Sequence, residues 1–508
     1  MTSKERRLAK QNGHAAKLFD DIITGKTKLA VYERPKKQSQ ANRKGGSTPT
    51  AESEAALISD HTRLLRMLLP GIITKLSTIE DPRRASMCDH TMATLILYGI
   101  IIFLSHMPSR RAANRELGGE SSFSMLRDIV PELESMPHAD TLARLLEKID
   151  VDKMEECYSD LLRQFMKSDC FRKINPGKCL IAIDGTQLYS MDYCFDRRAL
   201  VRWRGDETRE RHCVYMLESV LILDNGAVLP LLTETLENED FGKDEEQKKQ
   251  DCELKAFGRL ADRLVKLVGK GCATLVLDGL YAGGPVISQC KSYGWDYMIV
   301  LKSGSMPAVW EDFEGLRKIE LENELKAECG GRMQSYAWSN GIEYTYGNNH
   351  KRMLLNIVTC KETWIEYNSR KGTKPKQMET SYAWLSSERI SHKNVLELCN
   401  AIARRRWCIE NHFHVEKNDG YNMTHCYSYN WDAMKGFHTL MKYAHFMNTL
   451  IAHSYMTKEY VKADGISGFI RKVWKLILSS RTGTVIANEA FETQKRRKRI
   501  SFRGFEVA

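Results

Sequence analysis

No Cys-x2-Cys pair occurs anywhere in the chain, although 14 cysteines are spread along its 508 residues. A zinc ribbon is therefore not expected. Scattered thiols in a chain this long point to a reducing, cytosolic compartment rather than to a disulfide framework. The first residues, Met1-Thr2-Ser3-Lys4-Glu5-Arg6-Arg7, lead into no apolar stretch, so a secretory leader is not expected. Long apolar runs are missing too. The longest, Met92 to Leu104, falls short of the ~18 residues of a membrane span and reads as a buried helix. No membrane partner follows from the sequence. No short-period repeat is evident. With 42% hydrophobic and 28% charged residues the chain reads as soluble and globular. Its length suggests two to four domains of roughly 100–200 residues each.

Net charge is nearly absent from the body of the chain. The total is +11, but residues 1–50 hold 12 Lys/Arg against 4 Asp/Glu, a net +8. Residues 495–503 add Lys495-Arg496-Arg497-Lys498-Arg499 and Arg503, a net +6, which leaves −3 for the rest of the chain. Two basic ends on a near-neutral body suit a polyanion such as DNA, bound through phosphate contacts and counterion release. Simple solvation of charged tails is the other reading.

The texture of the chain divides it. Residues 1–55 form a basic arm, with Gly45-Gly46-Ser47-Thr48-Pro49-Thr50 as a flexible link. Residues 56–170 read as a helical domain, expected to bind DNA. From residue 171 the pattern changes to α/β. Cys179 to Gly185 is an apolar run ending in Asp184-Gly185, a buried strand with a carboxylate at its end. Asp224-Asn225-Gly226 reads as a hairpin turn between apolar stretches. Ala273 to Tyr281 repeats the first pattern and ends its strand at Asp278-Gly279. Residues 330–385 alternate polar and apolar, which predicts a β-rich insertion, placed at about 305–385, that rejoins the main sheet. Helices resume near Ser391. The α/β domain is placed at 171–455, and a helical segment with a basic tail at 456–508.

The chemistry is concentrated in three carboxylates and a basic run. Arg404-Arg405-Arg406-Trp407-Cys408-Ile409-Glu410 continues to Lys417. On one continuous helix, Arg406, Glu410 and Lys417 fall within about 40° of each other. A face carrying cation, anion and cation suits a metal ion held beside a phosphate. Magnesium prefers oxygen ligands, and carboxylates from separate elements can hold two such ions for in-line phosphoryl chemistry. Ligand sites in α/β sheets also gather at strand carboxyl ends. His412, His414, His425, Cys408 and Cys426 offer an alternative, a zinc site. His412 and His414 point about 200° apart on a helix, however, and the set matches no usual ligand spacing.

Asp184 in Ile-Ala-Ile-Asp-Gly-Thr, Asp278 in Leu-Val-Leu-Asp-Gly-Leu-Tyr, and Arg406-x3-Glu410-x6-Lys417 resemble the DDE transposases of bacterial insertion sequences. The branch is the IS-four type, with the signature Tyr-x2-Arg-x3-Glu-x6-Lys; Ala403 stands at the tyrosine position here. The resemblance covers roughly residues 175–450. It implies an RNase H-like α/β core interrupted by a β-rich insertion and preceded by a helical domain. It also implies that Asp184, Asp278 and Glu410 bind Mg²⁺, with Mn²⁺ able to substitute. Arg406 and Lys417, with Arg404 and Arg405 beside them, would contact DNA phosphates. The implied reaction is strand cleavage that frees a 3′-hydroxyl, then attack of that hydroxyl on target DNA. The implied partners are terminal inverted repeats, target DNA and a second copy of the chain, in the bacterial cytoplasm at the nucleoid. A domesticated DNA-binding protein without catalysis, and an RNase H-like nuclease without strand transfer, are the competing readings.

Overall fold

A computed structural model of the chain describes residues 29–32, 51–203, 210–238, 250–366, 375–479, 500–502 and 505. The Gly45–Thr50 link, nearly all of the basic arm and the Lys495–Arg499 cluster lie outside the described residues. The chain forms two compact units. The smaller comprises Met1–Ser39 and Ala273–Arg406, the larger Gln40–Cys272 and Trp407–Ala508.

The larger unit is organised around two buried helices. The first, α1 (Met92–Leu104), starts where the Thr91 side chain accepts from the Thr94 amide. It is apolar on every side, and a helix of that kind must be covered on every side. All but one of its residues are buried. It packs against α2 (Ala139–Leu146), a short amphipathic helix with His138 at its amino-terminal cap. Helix α3 (Val151–Met166) is capped by Asp150, and α4 (Glu253–Val268) is amphipathic. Helix α5 (Cys408–Asn418) precedes α6 (Trp431–Ala452), which begins where Asn430 accepts from the Ala433 amide. Helix α6 is buried along nearly its whole length and packs on α1, α2 and α3. Burying each large aliphatic side chain of such a helix contributes roughly 1.5–3 kcal/mol. Those gains must also cover His438, Lys442, His445 and Asn448, which α6 buries as well.

The strands of the larger unit are antiparallel. β1 (Cys179–Met191) pairs with β2 (Glu210–Ile222), which also pairs with Leu200–Trp203 and with β3 (Val228–Thr235). The turn between β2 and β3 is the one that Asp224-Asn225-Gly226 predicts: Gly226 has φ +89° and the Leu223 amide donates to the Ala227 carbonyl at 2.9 Å. Asp184 is not at a strand end. β1 continues past it to Met191, and Asp184 lies directly across from Glu218 of β2. The continuation is set by pairing with β2, a contact the local Asp-Gly pattern does not show.

In the smaller unit β4 (Ala273–Leu277) runs parallel to β5 (Asp296–Val300). The expected insertion opens with a helix, Pro307–Arg317, then forms β6 (Glu324–Cys329), β7 (Arg332–Tyr346), β8 (Lys351–Glu366) and β9 (Lys376–Ser386) as an antiparallel meander. β9 then pairs with β5, Trp384 opposite Val300. β6 also pairs in parallel with Leu29–Tyr32.

The run from Glu397 to Lys417 is not one regular helix. Glu397–Ile402 is wound as a π-helix, Ala403–Trp407 as 3₁₀ turns, and only Cys408–Asn418 is α-helical. Arg406 therefore does not share a regular face with Glu410. Glu410 and Lys417, both on α5, stand about 20° apart around its axis.

Gly99 marks a tight helix contact in the larger unit. A Cβ there would come within 2.5 Å of Leu440 Cδ1 and 3.0 Å of Leu142 Cδ2. Gly99→Val should overpack the α1–α6 contact and lower stability by about 1–3 kcal/mol, read as a fall in urea midpoint at unchanged slope. A midpoint equal to that of the parent chain would show that the contact is loose.

Candidate active site

Asp278 follows the last residue of β4, whose Leu275, Val276 and Leu277 are buried, and leads into a 3₁₀ turn at Gly279–Tyr281. The expected strand-end carboxylate is thus in place. Lys302, just beyond β5, donates from Nζ to Asp278 Oδ2 at 2.9 Å. Gly279 makes this approach possible, because a Cβ there would sit 2.7–2.9 Å from the Lys302 methylenes. Burial acts to raise the Asp278 pKa. The Lys302 hydrogen bond, the Gly279 amide and the charges of Lys302 and Arg406 outweigh it and hold the carboxyl below its ordinary 3.8. Arg406 is itself buried.

Its neighbours are differently engaged. Arg404 is half-buried, pairs with the fully buried Glu362 at 2.7 Å and lies over the Tyr382 ring at 4.5 Å. Glu362 also receives Arg332 at 3.0 Å and Gln334 at 2.5 Å. Burial works against its charge, but these donors keep its pKa below the usual value. Arg405 is half-buried.

In the larger unit, Asp184 is half-buried in mid-strand, and its Oδ1 accepts from the Gly185 amide at 2.9 Å. Helix α5, which carries Glu410 and Lys417, packs on β1, the strand of Asp184. Glu410 is half-buried. Lys417 is half-buried too, with Nζ 5.8 Å from the Phe413 ring centre, and burial lowers its pKa. The larger unit thus holds Asp184, Glu410 and Lys417, and the smaller holds Asp278 and Arg404 to Arg406.

Behind α5 lies a buried polar cluster absent from the sequence reading. Glu218 is fully buried, with His438 Nε2 2.9 Å and Lys442 Nζ 3.8 Å from its Oε1. His412 Nε2 is 3.6 Å from Glu218 Oε2 and 3.1 Å from Glu416 Oε1. His445 Nδ1 is 2.8 Å from that same Glu416 oxygen. Burial works against every charge here. Against it, Glu416 and Glu218 raise the His412 pKa to about 9, and His412 and His445 bring Glu416 down to about 2. Glu218 is pulled well below the carboxylate range by Lys442, His412 and His438. For His445 burial prevails and the pKa falls. The two carboxylates thus favour the protonated form of His412, which lies between them. The sequence did carry a signal. His412 and Glu416 are four apart on one helix, and His438, Lys442 and His445 recur at four and three on another. His414, another member of the alternative zinc set, is exposed beside Asn418.

Residues 251–447 match the family model described as Transposase DDE domain, and residues 73–162 match the one described as DDE_Tnp_1-associated. Residues 251–447 are thus similar to a transposase DDE domain. No curated protein matches it. The transposase domain match takes in Asp278, Arg404 to Arg406, Glu410 and Lys417, while Asp184 lies before its start. The associated-domain match takes in α1 and α2 and most of α3. No helix among the described residues is long and apolar enough to cross a membrane.

A depressed carboxyl pKa stabilises the fold above the unfolded-state value and ceases to do so as pH falls through the folded-state value. For Asp278 that loss lies below about pH 4, given its ordinary 3.8. In metal-free protein, Lys302→Met should raise the Asp278 pKa, followed by carbon-13 NMR of the carboxyl. An unmoved titration would mean that Arg406 and the Gly279 amide suffice.

Proposed function

We propose that this chain is the transposase of a bacterial insertion sequence of the Tyr-Arg-Glu-Lys signature branch, the IS-four type. The observation that carries the reading is the transposase DDE domain match over a segment holding Asp278 and Arg406-x3-Glu410-x6-Lys417. The order of elements supports an RNase H-like core: β1, β2 and β3, then α4, β4, the helix Gly284–Tyr293 and β5. The β6–β9 meander is the insertion between the second aspartate and the glutamate.

In this reading Asp184, Asp278 and Glu410 are the catalytic residues and hold Mg²⁺, or Mn²⁺ in its place. The donor set fits a hard ion, since it consists of carboxylates, and Asp278 is kept anionic by Lys302 and Arg406. Mg²⁺ there supplies an activated attacking oxygen and a stabilised leaving oxygen for phosphodiester cleavage and strand transfer. The protein's part is positional. Lys302 and the Gly279 turn orient Asp278. The β1 ladder orients Asp184. Helix α5 carries Glu410 and Lys417 on one side. Arg406, Arg405 and Lys417 contact backbone phosphates, which fix register without reading sequence. Arg404, taken up by Glu362 and Tyr382, acts from behind by holding the arginine run in place. The partners are the element's terminal inverted repeats, target DNA and a second copy of the chain in the DNA complex, in the bacterial cytoplasm.

The test uses the full chain, DNA carrying the flanking inverted repeats, and Mg²⁺. End-specific nicking and joining are expected, and Asp184→Asn, Asp278→Asn and Glu410→Gln should each reduce both to background while retaining DNA binding. Nicking that survives these changes sinks the catalytic assignment. Nicking without joining favours a nuclease, and end binding without nicking favours a domesticated DNA-binding protein. Lys417→Ala should weaken binding about equally across sequences and reduce the slope of log K against log salt by about 1.

A further inference from the structure

We propose that His412, Glu416 and His445 form a buried site for a divalent transition metal of the zinc class, and that Glu218, which lies outside this three-residue group in the metal-free chain, moves in as the fourth ligand when the ion binds. The site is built from none of Asp184, Asp278 or Glu410, and does not depend on the transposase reading.

The first argument is placement. His412 and Glu416 stand one turn apart on α5 and so project to the same side. His445 comes from α6, and one donor atom from each of the three lies within 4.8 Å of the other two. His412 Nε2 is 3.1 Å and His445 Nδ1 2.8 Å from Glu416 Oε1. Donors around a tetrahedral zinc, each about 2.1 Å from the ion, stand about 3.4 Å apart. The observed spacings need to open by only a few tenths of an ångström. The His412 and His445 rings lie 12° from parallel with centroids 4.7 Å apart.

The second argument is what the donors leave unmade. Glu218 Oε1 and Oε2, both ring nitrogens of His412, Glu416 Oε2 and Lys442 Nζ are buried without a hydrogen-bond partner of acceptable geometry. Charged neighbours are close, but off the line a hydrogen bond needs. Buried polar atoms in this number are rare, because leaving them unmade is costly. An ion between His412, Glu416 and His445 gives lone pairs a partner that needs no donor hydrogen.

The third argument is selectivity. Two imidazoles with carboxylates suit zinc, cobalt or nickel, whereas magnesium takes oxygen ligands and keeps several waters. Glu218 presents Oε2 toward His412 at 3.6 Å, and His438 and Lys442 face its other oxygen. Such outer partners orient a ligating carboxylate. A closed four-ligand site with no open position is structural. It ties α5 to α6 and β2, and thereby fixes the helix that carries Glu410 and Lys417.

The experiment uses the full chain, tag removed and prepared without chelator, analysed by mass spectrometry for metals. About one zinc-class ion per chain is expected. Chelator-stripped protein should melt lower, and Zn²⁺ but not Mg²⁺ should restore it. Co²⁺ should give the visible absorption of a tetrahedral N/O site. Glu416→Gln and His445→Ala, each checked for folding by circular dichroism, should lose the ion, and Asp278→Asn should keep it. Metal well below stoichiometry, absence of a tetrahedral Co²⁺ spectrum, or full retention in both variants overturns the proposal and leaves the cluster as an ion-pair network closed by protons. Because no readout uses DNA, failure here and failure of strand cleavage are independent.

Discussion

A fully buried carboxylate, Glu218, is the constraint around which the larger unit is arranged. Taking a charge out of water is strongly unfavourable unless opposite charge comes with it. Glu218 sits in the buried part of β2 with no cation beside it on that stretch of strand, so that charge must arrive from elsewhere in the chain. It comes from His438 and Lys442 on α6 and from His412 on α5. Helix α6 can bring them only because its remaining surface buries apolar side chains against α1, α2 and α3. Helix α5 is drawn to the same place, and with it Glu410. The position of the proposed third catalytic carboxylate is thus coupled to the neutralisation of another acid on the strand beside Asp184.

The smaller unit meets the same constraint differently. Glu362, also buried, receives Arg332, Arg404 and Gln334, and Gln334 is in turn tied to Asn400 and Tyr336. From the irregularly wound stretch Glu397–Trp407, Asn400 and Arg404 reach β7 and β8. Such departures inside a helical run often mark functional segments. Here the irregular stretch delivers Arg404, Arg405 and Arg406.

What was legible in the sequence was local. Met92–Leu104 could be read as buried because no face of it is polar. The Asp224–Gly226 turn carried its own backbone chemistry. Asp278 closed an apolar strand, and the alternation after residue 330 foretold the meander. What was not legible depended on distant partners. The strand through Asp184 runs on because β2 lies beside it, so an Asp-Gly that looks like a turn is held extended. Arg406 left the expected helix face because the backbone before Cys408 is wound as π and 3₁₀ turns, which residue types alone do not signal. The Glu218 cluster joins residues separated by nearly half the chain, and its members taken singly look like ordinary polar side chains on apolar elements. Only the spacings within α5 and α6 hinted at it.

The two aspartates sit on backbones of unequal freedom. Asp184 is in mid-ladder, so its main chain can shift only if β1 parts from β2, an event whose free energy approaches that of opening the sheet locally. Asp278 stands one residue beyond its strand, on a short turn, with a lysine side chain against it. It can adjust by a small torsional change, without breaking a ladder. If both bind one substrate, Asp184 is the fixed reference point and Asp278 the member that accommodates.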